Sequence, residues 1–252
     1  MGNPIIRIAP RRQMLPDDLL TEYADRFLGF GNWEAKVWFI GIQEAGGDDE
    51  PSVLRRLQAW AKNKKQPIED APAFYPLCDN HRWHGKNPSV QPTWRQLIRL
   101  DLLIRGRSAS PDEILQYQRH SFANSNGDEC AFELLPLPSP DAKTWRYLGW
   151  SKLPWLQSRR RYQNHVLLQR AISLQQRIEQ HRPRVVIFYS STWHRIWAVT
   201  TRAVWAQAIQ GQLMGFDRDG ISFYVTRHPS AEGDKYFQKI GEFLRAKHFS
   251  DF

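Results

Sequence analysis

Three short stretches of this chain carry side chains suited to a polar substrate. Gly41-Ile42-Gln43-Glu44-Ala45-Gly46-Gly47 sets an amide and a carboxylate in a glycine-rich turn, where backbone can approach a ligand closely. Cys130-Ala131-Phe132-Glu133-Leu134-Leu135 buries a carboxylate in an apolar run, an unusual place because an unpaired buried charge is costly. Glu133 therefore points outward, meets an arginine, or serves a ligand. Thr226-Arg227-His228-Pro229-Ser230 holds a histidine before a proline, able to polarise a substrate. The shared chemistry is hydrogen bonding: an ionised carboxylate only accepts, whereas an amide donates and accepts.

The elements that must position these groups follow from hydrophobic pattern. Lys36 to Ile42 is a near-continuous apolar run, as expected of a parallel strand covered on both faces. Cys130–Leu135, Arg184–Ser190 and Ile221–Thr226 read as three further strands. Helical spacing separates them. Leu19 to Leu28 follows Pro16-Asp17-Asp18, and Pro51 precedes Val53, Leu54, Leu57, Trp60 and Ala61 on one face. Pro92 opens a helix with Trp94, Leu97, Ile98 and Leu102. Leu167, Ala171, Leu174 and Ile178 stripe another that stops before Pro183. Segments Trp193 to Ala208 and Tyr236 to Ala246 complete the set. Alternating strands and helices predict an α/β fold: a three-layer α/β/α sandwich around a central, mostly parallel four-stranded sheet. In such sheets ligands bind beyond the carboxyl ends of the strands, which is where all three stretches fall.

The 252 residues suffice for one domain, expected over 1–252 with an extended arm at 1–16. No apolar run is long enough to span a bilayer and the start lacks a secretory core, so the expectation is a cytoplasmic protein that binds no membrane. Two cysteines, Cys78 and Cys130, cannot supply an iron–sulfur cluster or an all-cysteine zinc site, and are expected to be unpaired. The formal charge of +9 favours a polyanionic partner.

Taken in order, the segments resemble the uracil-DNA glycosylase superfamily. The glycine-rich loop after the first strand and the His-Pro-Ser turn after the last are similar to its two signature motifs. Leu134-Leu135-Pro136-Leu137-Pro138-Ser139 is similar to its middle strand, and Pro92-Thr93-Trp94-Arg95-Gln96-Leu97 to its first long helix. The resemblance spans residues 35–245. It implies hydrolysis of the N-glycosidic bond of a base flipped out of DNA, without cofactor or metal, by a monomeric enzyme. Charge on the departing base must be stabilised and a water placed.

By that resemblance His228 donates to the O2 of the leaving base, with Ser230 beside it. Gln43 falls at the water-orienting position, usually Asp or Asn. Glu44 replaces a common proline and is expected to do the catalytic work while Gln43 positions. Gly41 and Ile42 line the base. Glu133 falls where uracil-reading members carry asparagine. An ionised carboxylate repels uracil O4 but accepts from the amino group of cytosine; with its pKa raised by burial, the protonated form can donate to cytosine N3 while its other oxygen accepts from N4. The expected substrate is therefore a 5-modified cytosine, hydroxymethylated or glucosylated as in phage DNA. Trp83 is expected to stack on the flipped base, with Phe74 and Tyr75 as runners-up.

Residues 141–170 hold seven basic side chains against one acid, with Trp145, Tyr147, Trp150, Trp155 and Tyr162 interleaved. Lys143, Arg146, Lys152, Arg159, Arg160 and Arg161, together with Arg227, are the expected DNA contacts. Three alternatives stand beside this reading. One is plain uracil release. Another is a metal-dependent nuclease built on Glu44, Asp48, Asp49 and Glu50, although acids also suit a helix start. The last is a DNA-binding module without activity.

Overall fold

The computed structural model describes residues 14–249, so the arm expected at 1–16 lies almost wholly outside them. Eight strands form one mixed sheet, in the order β3-β1-β4-β2-β5-β8-β7-β6. They are β1 (Gly29–Phe30), β2 (Val37–Gln43), β3 (Ile68–Glu69), β4 (Glu129–Leu135), β5 (Val185–Tyr189), β6 (Ala206–Ile209), β7 (Leu213–Arg218) and β8 (Ile221–Thr226). Eight helices accompany them: α1 (Asp17–Arg26), α2 (Glu50–Lys62), α3 (Ala71–Leu77), α4 (Pro92–Ile104), α5 (Pro111–His120), α6 (Arg159–His181), α7 (His194–Thr201) and α8 (Asp234–His248).

The four strands expected from sequence, β4-β2-β5-β8, are contiguous and mutually parallel. The expected four-stranded sheet is nevertheless too small. Two-residue strands β1 and β3 extend it at one edge, and the antiparallel pair β7–β6 at the other. The helix expected over Trp193 to Ala208 ends at Thr201, where Arg202 turns left-handed (φ 52°), and β6 follows. β7 and β8 are joined by Asp219-Gly220 with φ 54° and 80°, the positive dihedrals of a two-residue hairpin turn. That dipeptide was a readable hairpin signal.

Alternation along the strands builds two cores. Val37 and Phe39, Val185 and Ile187, and Tyr224 face one side, packed with α1–α5 and α8. Trp38 and Ile40, Val186 and Phe188, and Phe223 and Val225 face the other, against α6 and α7. Side-chain period two then assigns Gly41, Gln43, Glu133 and Tyr189 to the first face, at the carboxyl end of the sheet. Both cysteines are buried and unpaired. Among the described residues no helix is long and apolar enough to cross a membrane.

Candidate active site

Strand register creates the centre of the site. Gly41 on β2 is the Cα partner of Glu133 on β4, and β5 flanks β2 on its other side. A Cβ on Gly41 would lie 2.4 Å from the ring of Tyr189. Without one, the phenol of Tyr189 crosses over β2 and donates to Oε1 of Glu133 (2.7 Å). Gly41, expected to let a ligand approach, instead makes room for Tyr189. This corrects its assignment as a substrate contact.

Among the described residues Glu133 meets no arginine through its carboxyl; Arg170 binds its backbone carbonyl (2.9 Å) and that of Leu134. Oε2 is buried and, among the same residues, has no hydrogen-bond partner. Burial pushes the carboxyl up to about 8, only partly offset by the Tyr189 hydroxyl. The group is thus mostly protonated at neutral pH. With Oε1 accepting from Tyr189, the proton belongs on Oε2.

Glu133 lines a cavity of about 510 Å³ together with Ile42, Gln43, Glu44, His228 and Ser230. Three separated stretches of sequence therefore meet in one space. The Ser230 backbone N–H donates to Nδ1 of His228 (3.2 Å), and the Ser230 hydroxyl lies 2.7 Å from the same nitrogen. A backbone N–H can only donate, so Nδ1 accepts and the neutral ring carries its proton on Nε2. Desolvation lowers the imidazole pKa from its ordinary value, which favours that neutral form. Ser230 acts on the histidine, fixing its tautomer.

Neither Gln43 nor Glu44 is a free base. The Gln43 amide donates to the Leu137 carbonyl (2.5 Å) and accepts from Arg159 Nη1 (2.5 Å). Glu44 forms a two-point ion pair with Arg56 and accepts from the Tyr75 hydroxyl. Arg56 is itself buried within 6 Å of the rings of Phe27, Phe30, Phe74 and Tyr75. Glu44 is the outer end of a buried cluster. It lines the cavity, but its charge is matched by Arg56, which makes it a poor general base.

The aromatic assignments also change. Phe74 is core, stacked among Phe27, Phe30 and Tyr75, and cannot meet a base. Tyr75 and Trp83 line a different, adjacent cavity. The rings beside Glu133 are Trp94, Tyr189 and Trp193. Trp94 read as an apolar helix position, but it stands in the first turn of α4, whose start opens onto the carboxyl edge of the sheet. That placement was the available signal.

The basic tract divides. Lys143, Arg146, Lys152, Arg160 and Arg161 are exposed. Arg159 is turned inward, donating to Gln43, to the Ser139 hydroxyl and to the carbonyls of Asp141 and Thr144 (2.5–2.6 Å). It pins the loop to the cavity wall, which corrects its assignment as a DNA contact. Exposed Arg227 pairs with Glu232. The interleaved aromatics hold this loop in shape: Tyr147 donates to Pro138 O, Trp145 to Leu156 O, and Tyr162 accepts from the Leu137 N–H. Of the acids that suggested a nuclease, Asp49 caps α2 through the Ser52 N–H (2.7 Å) and Glu44 is bound to Arg56. Among the described residues no three His, Cys, Asp or Glu side chains are grouped to hold a metal ion. Comparison with protein-family models finds no match, and comparison with curated proteins finds none either.

Proposed function

We propose that this chain is a DNA glycosylase of the uracil-DNA glycosylase type, acting on a flipped-out 5-substituted cytosine. The carrying observation is a buried carboxyl with one oxygen unpartnered among the described residues, on a residue that lines the same cavity as His228; burial raises the pKa of the first and lowers that of the second. Glu133 Oε2–H donates to N3, and the second lone pair of Oε1 accepts from the N4 amino group. Tyr189 favours this donor–acceptor order, because the opposite order, which uracil needs, puts the proton on Oε1 and leaves the Tyr189 hydroxyl a weaker, hydroxyl-type acceptor.

The reaction follows from these placements. The N-glycosidic bond stretches, the electron pair goes to the base, and His228 Nε2–H donates to the O2 on which charge develops. A preformed neutral donor needs no reorganisation at that moment. The deoxyribose cation is then captured by water, held by the remaining lone pair of Gln43 Oε1; the water's proton is lost to solvent, and the departed base anion takes one up from solvent. Arg159 is a positioning residue, keeping the Gln43 amide oriented. Exposed Lys143, Arg146, Lys152, Arg160 and Arg161 neutralise phosphates along the strand.

The test is mass spectrometry of bases freed, in the presence of chelator, from duplexes bearing uracil, cytosine or 5-substituted cytosine. The expected product is the 5-substituted cytosine with an abasic site. Uracil release alone, or strand scission abolished by chelator, contradicts the proposal.

A further inference from the structure

Beside the cavity of Glu133 and His228 lies a second one of about 570 Å³. Glu44, Ala45, Gln91 and Pro140 line both and so form the partition between them. Ala45 contributes only a methyl group to that partition. Gly47, two residues on, has φ 66° and packs its backbone against Pro138, where a Cβ would lie 2.6 Å from the carbonyl oxygen.

The second cavity lies in a definite direction from the first. Its outer wall is the end of α3 and the turn after it, and α3 directly follows β3, the strand at the sheet edge beyond β4. His228 lies two residues past the end of β8, three strands from β4 and Glu133 in the opposite direction. A pyrimidine with O2 toward His228 and its N3–N4 edge toward Glu133 directs C5, which is bonded to C4, away from His228. A substituent on C5 then heads for Ala45, the smallest side chain of the partition.

Its lining is neither an anion site nor an apolar pocket. Asp48 and Asp79 balance Arg55 and Arg82, so a phosphate finds no net positive charge. Arg82 lies over Trp83 (4.4 Å), which brings an indole to the wall. Gln91 uses its amide oxygen to cap α4 at the Trp94 N–H, and Asn80 uses its own for the Arg82 N–H. Among the described residues neither NH2 group has a partner. Carboxylates, amide donors and an aromatic edge together suit a ligand with many hydroxyls and apolar C–H faces.

We infer that this second cavity is the subsite for the C5 substituent, and that it takes an uncharged, polyhydroxylated group of hexose size. The inference rests on the cytosine-type reading of the site. It supplies the discrimination that Glu133 alone does not, since ordinary cytosine leaves these contacts unmade.

The experiment uses the full chain and three duplexes of one sequence, each with a single cytosine, 5-hydroxymethylcytosine or glucosylated 5-hydroxymethylcytosine. Single-turnover base release is followed for wild type, Ala45→Leu and Asn80→Ala. Wild type is expected to release the glucosylated base at least tenfold faster than the hydroxymethylated one. Ala45→Leu brings that ratio to one or below, and Asn80→Ala lowers it about three- to tenfold, the effect of one lost hydrogen bond. The ratio is internal to each preparation, so partial unfolding of a variant does not mask it. Equal release of the two modified bases by all three proteins overturns the sugar subsite and leaves the cytosine-type reading intact. Release of no cytosine-type base from any duplex overturns both.

Discussion

Glu129 and Glu133 lie four residues apart on β4 and face the same side of the sheet, and burial pushes both carboxyls up to about 8. Their surroundings differ. Glu129 is saturated: Oε1 accepts from the Ala123 N–H (3.1 Å), and Oε2 from Tyr117 (3.0 Å) and Arg105 (3.4 Å). Asp101, fully buried, pairs with the same Arg105 and completes a closed network under the sheet. Among the described residues the Glu133 carboxyl has one partner, Tyr189, and an Oε2 with none. A raised pKa therefore does not by itself mark a working residue. An unpartnered oxygen on a cavity-lining residue is the stronger sign, because a buried polar atom left unsatisfied calls for a partner such as a ligand or a water.

The largest expected effect lies opposite the open carboxyl. His228→Ala removes the donor to the leaving base and is expected to lower base release 10²- to 10³-fold with unchanged melting temperature, measured by single-turnover kinetics and circular dichroism. Next, Glu129→Ala and Glu133→Ala should separate stability from activity. Glu129→Ala orphans the Ala123 N–H and the Tyr117 hydroxyl, costing about 3 kcal/mol in denaturant titration. Glu133→Ala removes a costly buried acid but orphans the Tyr189 hydroxyl alone, is expected to cost about 1–2 kcal/mol, less than Glu129→Ala, and loses base release. A Glu133→Ala variant as destabilised as Glu129→Ala would erase the contrast.

Gly41→Ala sharpens it further. The new methyl displaces Tyr189 from Glu133, an overpacking worth about 1–3 kcal/mol, and is expected to relax discrimination against uracil by removing the group that favours the carboxyl's donor–acceptor order. The stability profile with pH should show both acids. Glu133 binds a proton in the folded chain that the unfolded chain releases near 4.5, so its contribution to stability is lost as pH rises from about 4.5 to 8, and Glu129, raised by burial and by Asp101, acts in the same direction. Glu133→Gln removes one share of that decline, seen as a flatter melting temperature between pH 5 and 9. The smallest effect concerns neither acid. Neutralising Lys143, Arg160 and Arg161 together should reduce the salt slope of DNA affinity by about 2–3 and leave the base preference alone.

How far the sequence could be read depended on the length and burial of each element. The four central strands were legible because a strand covered on both faces is apolar throughout, and three of them end at Gln43, Glu133 and His228 or within two residues of them. β1 and β3 were not, since two residues carry no period. The β6–β7 pair was hidden because Arg202 ends α7 without glycine or proline to announce it. At the site, residue type gave the meeting of an amide, an acid and a histidine. Partnership did not follow from type. Nothing in the sequence tells that Arg56 claims Glu44, that Arg159 turns inward, or that Tyr189 reaches across Gly41, because each contact joins residues 12 to 116 positions apart.

The most direct test is the pH dependence of base release for wild type, Glu129→Gln and Glu133→Gln on one 5-substituted cytosine duplex. Wild type should lose activity above about pH 8 as the Glu133 proton leaves, Glu129→Gln should share that alkaline limb, and Glu133→Gln, whose amide does not titrate, should stay active beyond it. An alkaline limb that survives in Glu133→Gln, or that moves only in Glu129→Gln, would contradict the assignment of Glu133 as the group that reads the base.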